Sequence, residues 1–135
     1  GEHGVIIFGN SGAGRAMPAT GEEEGVGMKA VRFVGDSLDR LREFPLDAKR
    51  EAGHQLDRVQ NGLDPDDWKP MKSIGLGVRE IRIREESGAF RVIYVANVGD
   101  AVVVLHCFRK TTQQTAKADI DLAARRLRDL KRESP

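Results

Sequence analysis

The sequence predicts a small α+β fold in the order strand, helix, helix, three antiparallel strands, helix. Three apolar runs at residues 77–84, 89–96 and 101–110 are separated by clusters of Gly, Asp, Ser and Asn, which is typical of a β-meander. Apolar residues at helical spacing precede the meander and follow it. With 135 residues, 39% hydrophobic and 32% charged, the chain suits one core.

The elements before the meander follow from periodicity and from stop signals. Residues 29–34 alternate like a strand, and Asp36 or Ser37 is placed to cap a short helix that Pro45 ends. A second helix is predicted over 46–60, and glycine follows it at position 62. Its apolar stripe comprises Leu46, Ala52, Leu56 and Val59. Residues 63–70 are predicted to be a turn-rich connector, and a last helix is predicted over 117–132 with an apolar stripe of Ile120, Ala123, Leu127 and Leu130.

Residues 1–27 are predicted to be a disordered or non-native extension, and residues 28–135 the folded domain. The extension holds 8 of the 15 glycines and an acidic run at 22–24. Its glycines at 9–14 have the spacing of a phosphate-binding loop, but Arg15 and Ala16 replace the lysine and the hydroxyl that such a loop needs. A nucleotide site is therefore not expected there.

One face of the predicted meander is basic. Because a strand alternates its faces, Arg82 and Arg84 leave on the side opposite to Ile81 and Ile83, together with Glu80. The next two strands add two cations to this face, Arg91 and Lys110. Residues 28–135 carry 21 basic and 17 acidic residues, so the domain is basic as a whole. Charge alone is compatible with a solvated surface, but clustering on one sheet favours a phosphate-rich partner.

Three stretches carry a family resemblance: residues 77–82 (GVREIR), 90–94 (FRVIY) and 105–112 (LHCFRKTT). They resemble motifs of the RelE/ParE superfamily of bacterial toxins from type II toxin–antitoxin systems, most closely the HigB-like, phage-related branch. The resemblance covers about residues 28–132 and implies a RelE-like domain. Thr111 stands where that branch has a second lysine, and Ala116 where a proline often follows.

The resemblance implies a ribosome-dependent mRNA endonuclease, or mRNA interferase, that inhibits translation without a metal or a cofactor. In such a reaction the ribose 2′-OH attacks the adjacent phosphorus and leaves a cyclic phosphate and a free 5′-OH. The implied partners are mRNA on the ribosome and a cognate antitoxin, a small helix-turn-helix DNA-binding protein. Two alternatives remain open: a non-nuclease, ParE-like toxin that acts on gyrase, and a catalytically silent phage-derived interaction module.

The catalytic candidates are Arg91, Arg82, Lys110, Lys72 and His106. Arg91, assisted by Arg82, is expected to stabilise the transition state, because the planar guanidinium matches phosphate oxygens. Arg91 is expected to face outward, so its loss should leave the fold intact. Lys110 and Lys72 are candidates for proton transfer or phosphate contact. His106 is either a general acid or base beside Lys110, or a packed, hydrogen-bonded residue.

Further RNA contacts are predicted at Arg79, Arg84, Arg109, Arg125 and Arg128. Each of these arginines can instead belong to an ion pair on a solvated surface. Tyr94 and Cys107 are expected in the core. Three dispersed histidines and one cysteine argue against a metal site. No apolar run approaches the roughly 20 residues that span a bilayer, so a cytoplasmic protein without membrane contact is expected.

Overall fold

The computed structural model of the chain describes residues 4–6 and 28–133. The elements are Gly4–Ile6 (β1), Ala30–Phe33 (β2), Ser37–Arg42 (α1), Leu46–Gln60 (α2), Trp68–Pro70 (β3), Val78–Glu85 (β4), Gly88–Val98 (β5), Ala101–Arg109 (β6) and Lys117–Glu133 (α3). The predicted α+β fold is confirmed, including the helical hairpin, the meander and the terminal helix. No helix in the described ranges is long and apolar enough to cross a membrane.

The strands form one six-stranded sheet in the order β1-β2-β6-β5-β4-β3. Strand β2 runs parallel to β6, and every other neighbouring pair is antiparallel. Residues 4–6 of the predicted extension form an edge strand that pairs with β2, and the disorder of the extension stays a prediction. The rest of the extension, including the glycines at 9–14, lies outside the described residues, and its non-native origin stays a prediction.

The sheet is covered by helices on both faces. The hairpin of α1 and α2 packs on one face, where Leu56, Ile81 and Phe90 are at most 1% exposed. Helix α3 packs on the other face and buries Leu127 and Leu130 against a second apolar cluster. Burying both faces gives two apolar layers around a central sheet.

A bulge in β6 decides which side chains meet α3. Ile93 pairs with His106 and Tyr94 pairs with Val104, so Leu105 is an extra residue in β6. Such a bulge interrupts the alternation of faces. Leu105 joins the α3-side cluster, and His106 bonds to a residue of α3. The bulge therefore turns two consecutive side chains toward α3.

Local sequence signals set the ends of α2, while two local predictions are wrong. Pro45 precedes α2, and Gly62 follows it with a φ of 84°. Leu46 is 59% exposed and does not join the apolar stripe. Residues 68–70 of the predicted connector form β3 by pairing with β4.

The predicted cap of α1 has a different role. The Asp36 side chain does not cap the helix but accepts a hydrogen bond from Arg126 of α3 at 2.7 Å. The Ser37 hydroxyl donates to the Val104 carbonyl of β6 at 3.2 Å. Gly35 has a φ of 60°, and a Cβ there would lie 2.6 Å from the Arg126 guanidinium. The turn before α1 thus anchors α3 to the sheet.

Candidate functional site

A polar cleft of about 410 Å³ opens on the α3 side of β4 and β5. Its walls come from β3, from the loop before β4 and from the segment between β6 and α3. It is lined by Lys69, Pro70, Met71, Lys72, Ser73, Glu80, Arg82, Arg91, Lys110, Gln113, Gln114, Thr115 and Ile120. Five of these side chains are cationic and one is acidic. The cleft therefore combines concentrated positive charge with hydrogen-bonding groups, which suits an anionic, polar ligand.

Arg91 and Glu80 form a buried ion pair at the centre of the cleft. The Arg91 Nε lies 3.6 Å from the Glu80 Oε1, and the side chains are 6% and 1% exposed. The other Glu80 oxygen, Oε2, accepts a hydrogen bond of 2.6 Å from the Thr115 hydroxyl. Arg91 also donates from Nη1 to the Phe90 carbonyl at 3.0 Å. Glu80 thus ties the central arginine to the segment that precedes α3.

The expectation that Arg91 faces outward is wrong. Arg91 lies on the predicted face, in register with Arg82 and Phe108, but it is 5% exposed because neighbouring elements cover that face. Burial, the largest cause, lowers the pKa of Arg91, and the Glu80 carboxylate opposes this shift. The Arg91 Nε is buried and has no hydrogen-bond acceptor among the described residues.

Lys110 flanks the ion pair and holds the adjoining segment. Its Nζ donates to the carbonyls of Thr112 and Gln113, both at 2.6 Å. Partial desolvation lowers the pKa of Lys110, the positive charge of Arg91 lowers it further, and Glu80 acts in the opposite direction. A lowered pKa increases the share of neutral amine, which is the form that accepts a proton.

The remaining cations form the rim of the cleft. Arg82 has its Nη1 3.6 Å from the Asp67 Oδ1, and both side chains are more than one-third exposed, so this pair holds Arg82 weakly. Lys72 is exposed on the loop before β4, and Lys69 is half-buried on β3. The rim cations are therefore available to contact an incoming anion.

The structure brings together four of the five predicted catalytic residues: Arg91, Arg82, Lys110 and Lys72. Arg84 is exposed near one end of β4, on the same strand face as Arg82. The other predicted RNA contacts lie elsewhere. Arg125 and Arg128 are exposed on α3 and do not line the cleft.

Arg79 and Arg109 point to the hairpin side of the sheet. The Arg79 guanidinium lies 3.9 Å from the ring centre of Trp68, and its Nη1 donates to the Asp64 Oδ1 at 2.9 Å. Arg109 donates from Nη2 to the Ser87 carbonyl at 2.6 Å and covers the ring of Phe90. Neither arginine shares a surface with the cleft.

His106 is buried beneath α3 and does not line the cleft. Its Nε2 lies 2.7 Å from the Asp119 Oδ1, and its ring stacks on Phe108 with the ring centres 4.8 Å apart. Its Nδ1 is buried without a hydrogen-bond partner among the described residues. A protonated ring would bury an unbonded N–H there, so a neutral ring that donates from Nε2 to Asp119 fits this position. Of the two predicted roles, this geometry favours the packed, hydrogen-bonded one.

We expect this histidine to make folding sensitive to mild acid. Burial lowers the pKa of His106, which outweighs the attraction of Asp119; Arg126 and Arg40 lower it further. In the unfolded chain His106 binds a proton near the ordinary pKa of about 6.5, while in the folded chain it binds a proton only at lower pH. The neutral His106 ring therefore makes its full contribution to stability above pH 6.5. The free energy of unfolding should fall as the pH drops below that value.

Urea unfolding between pH 7.5 and 5 measures this dependence. The variant His106→Phe should have a flatter profile, and the exposed-histidine control His54→Gln should keep the parent slope. Equal slopes in the parent and in His106→Phe would assign the effect to other groups.

The sequence did not predict that Lys69 and Thr115 contribute to the site, nor that Glu80 has a structural role there. Lys69 pairs in register with Glu80 only because residues 68–70 form a strand. Thr115 reaches Glu80 across 35 positions of sequence. The one indication in the sequence was that Glu80 lies on the same face of β4 as Arg82 and Arg84.

Two residues predicted in the core are confirmed there. Tyr94 and Cys107 are both 0% exposed. Burial strongly raises the pKa of the Cys107 thiol, so this cysteine is not primed as a nucleophile. Across residues 4–6 and 28–133, no cluster of three or more His, Cys, Asp or Glu side chains is arranged to hold a metal ion.

The described part of the chain is a small α+β domain with a basic cleft on one face of its sheet. The family described as Phage derived protein Gp49-like (DUF891) matches residues 39–128, about two thirds of the sequence, and this range contains every residue that lines the cleft. The chain belongs to this family. The predicted phage-related character of the chain is confirmed by this family, while the RelE/ParE superfamily and its HigB-like branch stay predictions.

A solved structure offers a distant likeness. It is the RelBE2 toxin–antitoxin complex from Mycobacterium tuberculosis, in which one chain is 22% identical to this one, with a TM-score of 0.42. The alignment covers 62% of this chain and 100% of that chain. No curated protein matches the sequence significantly.

Proposed function

We propose that this protein is the toxin of a type II toxin–antitoxin system and that it cleaves mRNA on the ribosome. The observation that carries this proposal is the cleft, in which five cations face one carboxylate that is itself engaged by Arg91 and Thr115. An RNA backbone offers repeated negative charge, and arginine can contact two phosphate oxygens at once. Cleavage by 2′-OH attack needs no metal when cations stabilise the phosphorane-like transition state.

The cations divide the proposed chemistry among them. Arg91, paired with the buried Glu80, stabilises charge on the transferred phosphoryl oxygens, and Arg82 assists from the rim. Lys110, which lies in the cleft beside Arg91, accepts the proton of the attacking 2′-OH as a neutral amine and then gives it to the leaving 5′ oxygen; its lowered pKa favours the neutral form. Lys72 holds the flanking phosphate. Outside the cleft, Arg84, Arg125 and Arg128 extend the basic surface that meets ribosomal RNA; these three are exposed.

Cells that express the full chain provide the decisive test. We expect Arg82→Ala and Lys110→Ala to lower message cleavage about a hundredfold each, because each removes a cation that acts in the transition state. The charge-matched controls Arg50→Ala and Lys131→Ala remove exposed cations outside the cleft and should cleave like the parent. Mapping of mRNA 5′ ends measures cleavage.

The alternatives give different results in the same cells. Intact messages together with inhibited DNA supercoiling would select a gyrase poison, and intact messages with normal growth would select a silent interaction module. Equal loss of cleavage in the controls and in the cleft variants would mean that overall charge, rather than the cleft, carries the activity.

The proposed partner is an antitoxin of the helix-turn-helix type that covers the cleft with an acidic segment. Added salt screens attraction between exposed charges, so the complex should weaken as ionic strength rises. Arg82→Ala should reduce both the affinity and its salt dependence, while Arg50→Ala should change neither. Titration calorimetry of the two purified proteins at several salt concentrations measures this, and an Arg82→Ala affinity equal to the parent's would place the antitoxin elsewhere.

A further inference from the structure

Thr115 is a buried residue of the cleft to which the proposed cleavage chemistry gives no task. It lies just before α3, lines the cleft and is 9% exposed. Its hydroxyl donates to the Glu80 Oε2 at 2.6 Å, and Glu80 is 1% exposed. Because a buried carboxylate depends on its hydrogen-bond donors, loss of this hydroxyl should disturb whatever Glu80 holds in place.

The other oxygen of Glu80 lies beside Arg91. The Glu80 Oε1 is 3.6 Å from the Arg91 Nε, which is too far for a hydrogen bond, and Nε has no acceptor within the described residues. The attraction between the two side chains is therefore mainly electrostatic. Since the carboxylate is planar, the hydrogen bond from Thr115 to Oε2 also sets the position of Oε1.

The contacts of Arg91 give its nitrogens different tasks. Nη1 donates to the Phe90 carbonyl at 3.0 Å, and Nε lies beside Glu80. Nη2 makes no hydrogen bond within the described residues, and Arg91 lines the cleft, so the donors of Nη2 are the ones left for an anion. Rotation of the guanidinium would exchange these tasks. The orientation that Glu80 imposes therefore determines which donors reach a phosphate oxygen.

We propose that Thr115 is a positioning residue for Arg91. Its hydroxyl orients Glu80, and Glu80 orients the guanidinium so that Nη2 meets the phosphate that is cleaved. The inference rests on the proposed function for the identity of the ligand, a phosphodiester of RNA. The orientation of Arg91 itself can be measured without cleavage. Misplacement of a reacting group by about 1 Å can lower a rate about a hundredfold, so a hydroxyl that contacts no substrate can still control the reaction.

Two substitutions separate the hydroxyl of Thr115 from its methyl group. Thr115→Val keeps the shape and removes the donor, whereas Thr115→Ser keeps the donor. With the purified full chain and ribosomes that carry a defined message, Thr115→Val should lower kcat about 10- to 100-fold and change KM less than about twofold, since the rim cations still bind RNA. Thr115→Ser should keep kcat within about threefold of the parent. The control Thr111→Val alters an exposed residue outside the cleft and should match the parent.

A third substitution keeps the test decisive even where Thr115→Val does not fold. Thr115→Cys has nearly the shape of Thr115→Ser but carries a weaker donor, so its kcat should be clearly lower than that of Thr115→Ser. Equal kcat values for these two variants, or a Thr115→Val enzyme as fast as the parent, would overturn the inference. A Thr115→Ser enzyme as slow as Thr115→Val would also overturn it, because the methyl group rather than the hydroxyl would then matter.

A double-mutant cycle shows whether the hydroxyl acts through Arg91. In an Arg91→Lys background the forked guanidinium is gone, so the further change Thr115→Val should lower kcat less than about threefold. The same factor in both backgrounds would mean that Thr115 acts independently of Arg91, which contradicts the inference.

Nitrogen-15 NMR of the arginine side chains measures the orientation whether or not messages are cleaved. The Arg91 Nε–H signal is identified by its loss in Arg91→Lys. It should shift in Thr115→Val and stay near the parent position in Thr115→Ser, while the indole signal of the single tryptophan, Trp68, stays in place in both. An Arg91 signal that does not move in Thr115→Val would refute the positioning role. A parent that leaves messages intact but shows these shifts would uphold that role and contradict the nuclease.

Discussion

Replacing Arg91 with alanine is expected to lower the free energy of unfolding by about 3–5 kcal/mol and to abolish message cleavage. The stability loss arises because Glu80, which is 1% exposed, would keep a buried charge without its cationic partner. The loss of activity arises because, among the described residues, no other side chain occupies the centre of the cleft with a planar pair of donors. Urea unfolding and mapping of mRNA 5′ ends measure the two effects, with cleavage expressed per folded protein.

Two further variants separate the structural role of Arg91 from its chemical role. Arg91→Lys restores a positive charge beside Glu80 but not the forked geometry, so it should recover more stability than activity. The double variant Glu80→Leu/Arg91→Met removes both charges, and a buried pair replaced by apolar residues often costs little stability. This double variant should therefore fold and fail to cleave.

Arg84→Ala serves as the stability control. Arg84 lies on the same strand face as Arg82 but is exposed, so its loss should change the free energy of unfolding by less than about 0.5 kcal/mol. An Arg91→Ala protein as stable as this control would show that the buried pair contributes little. A folded Arg91→Ala protein that cleaves at the parent rate would remove the central residue of the proposed mechanism.

The elements of this fold were predictable because their signals are local. Helix α2 was predicted over 46–60 and occupies Leu46–Gln60, since a proline before it and a glycine after it set its ends. The three meander strands likewise lie between turn residues that the sequence displays. Strand β3 was missed because it has three residues, ends in Pro70 and exists only through pairing with β4.

The sequence predicted most of the residues that form the candidate site, but it did not predict how deeply they are buried. Alternation along the strands correctly placed Arg82 and Arg91 on one face, and the register places them side by side. The strand sequences do not indicate which elements cover that face. Thr115 reaches Glu80 from the segment before α3, and α3 encloses His106, so both effects depend on contacts distant in sequence. Arg91, which was predicted to face outward, is therefore part of a buried ion pair. His106, a catalytic candidate, instead lies against α3 and contacts it.

The burial of side chains on α2 could not be predicted from the sequence alone either, and it determines which substitution in this helix should cost the most stability. Periodicity placed Leu46 and Leu56 on one apolar stripe, yet Leu46 is 59% exposed and Leu56 is 0% exposed. Leu56→Ala should lower the free energy of unfolding by about 2–5 kcal/mol, because it removes buried methyl groups and leaves a cavity between α2 and the sheet. Total stability for a domain is about 5–15 kcal/mol, so this loss is large.

Leu46→Ala provides a matched control within the same helix. The substitution is chemically identical, but the side chain at position 46 is already mostly in water, so we expect a change of less than about 0.5 kcal/mol. Urea unfolding of the parent and both variants, with the slope of the transition fitted freely, compares them under equal conditions. Equal losses at both positions would show that Leu46 packs against the core as the periodicity suggested. A small loss at Leu56 would mean that the sheet and α2 close around the missing side chain.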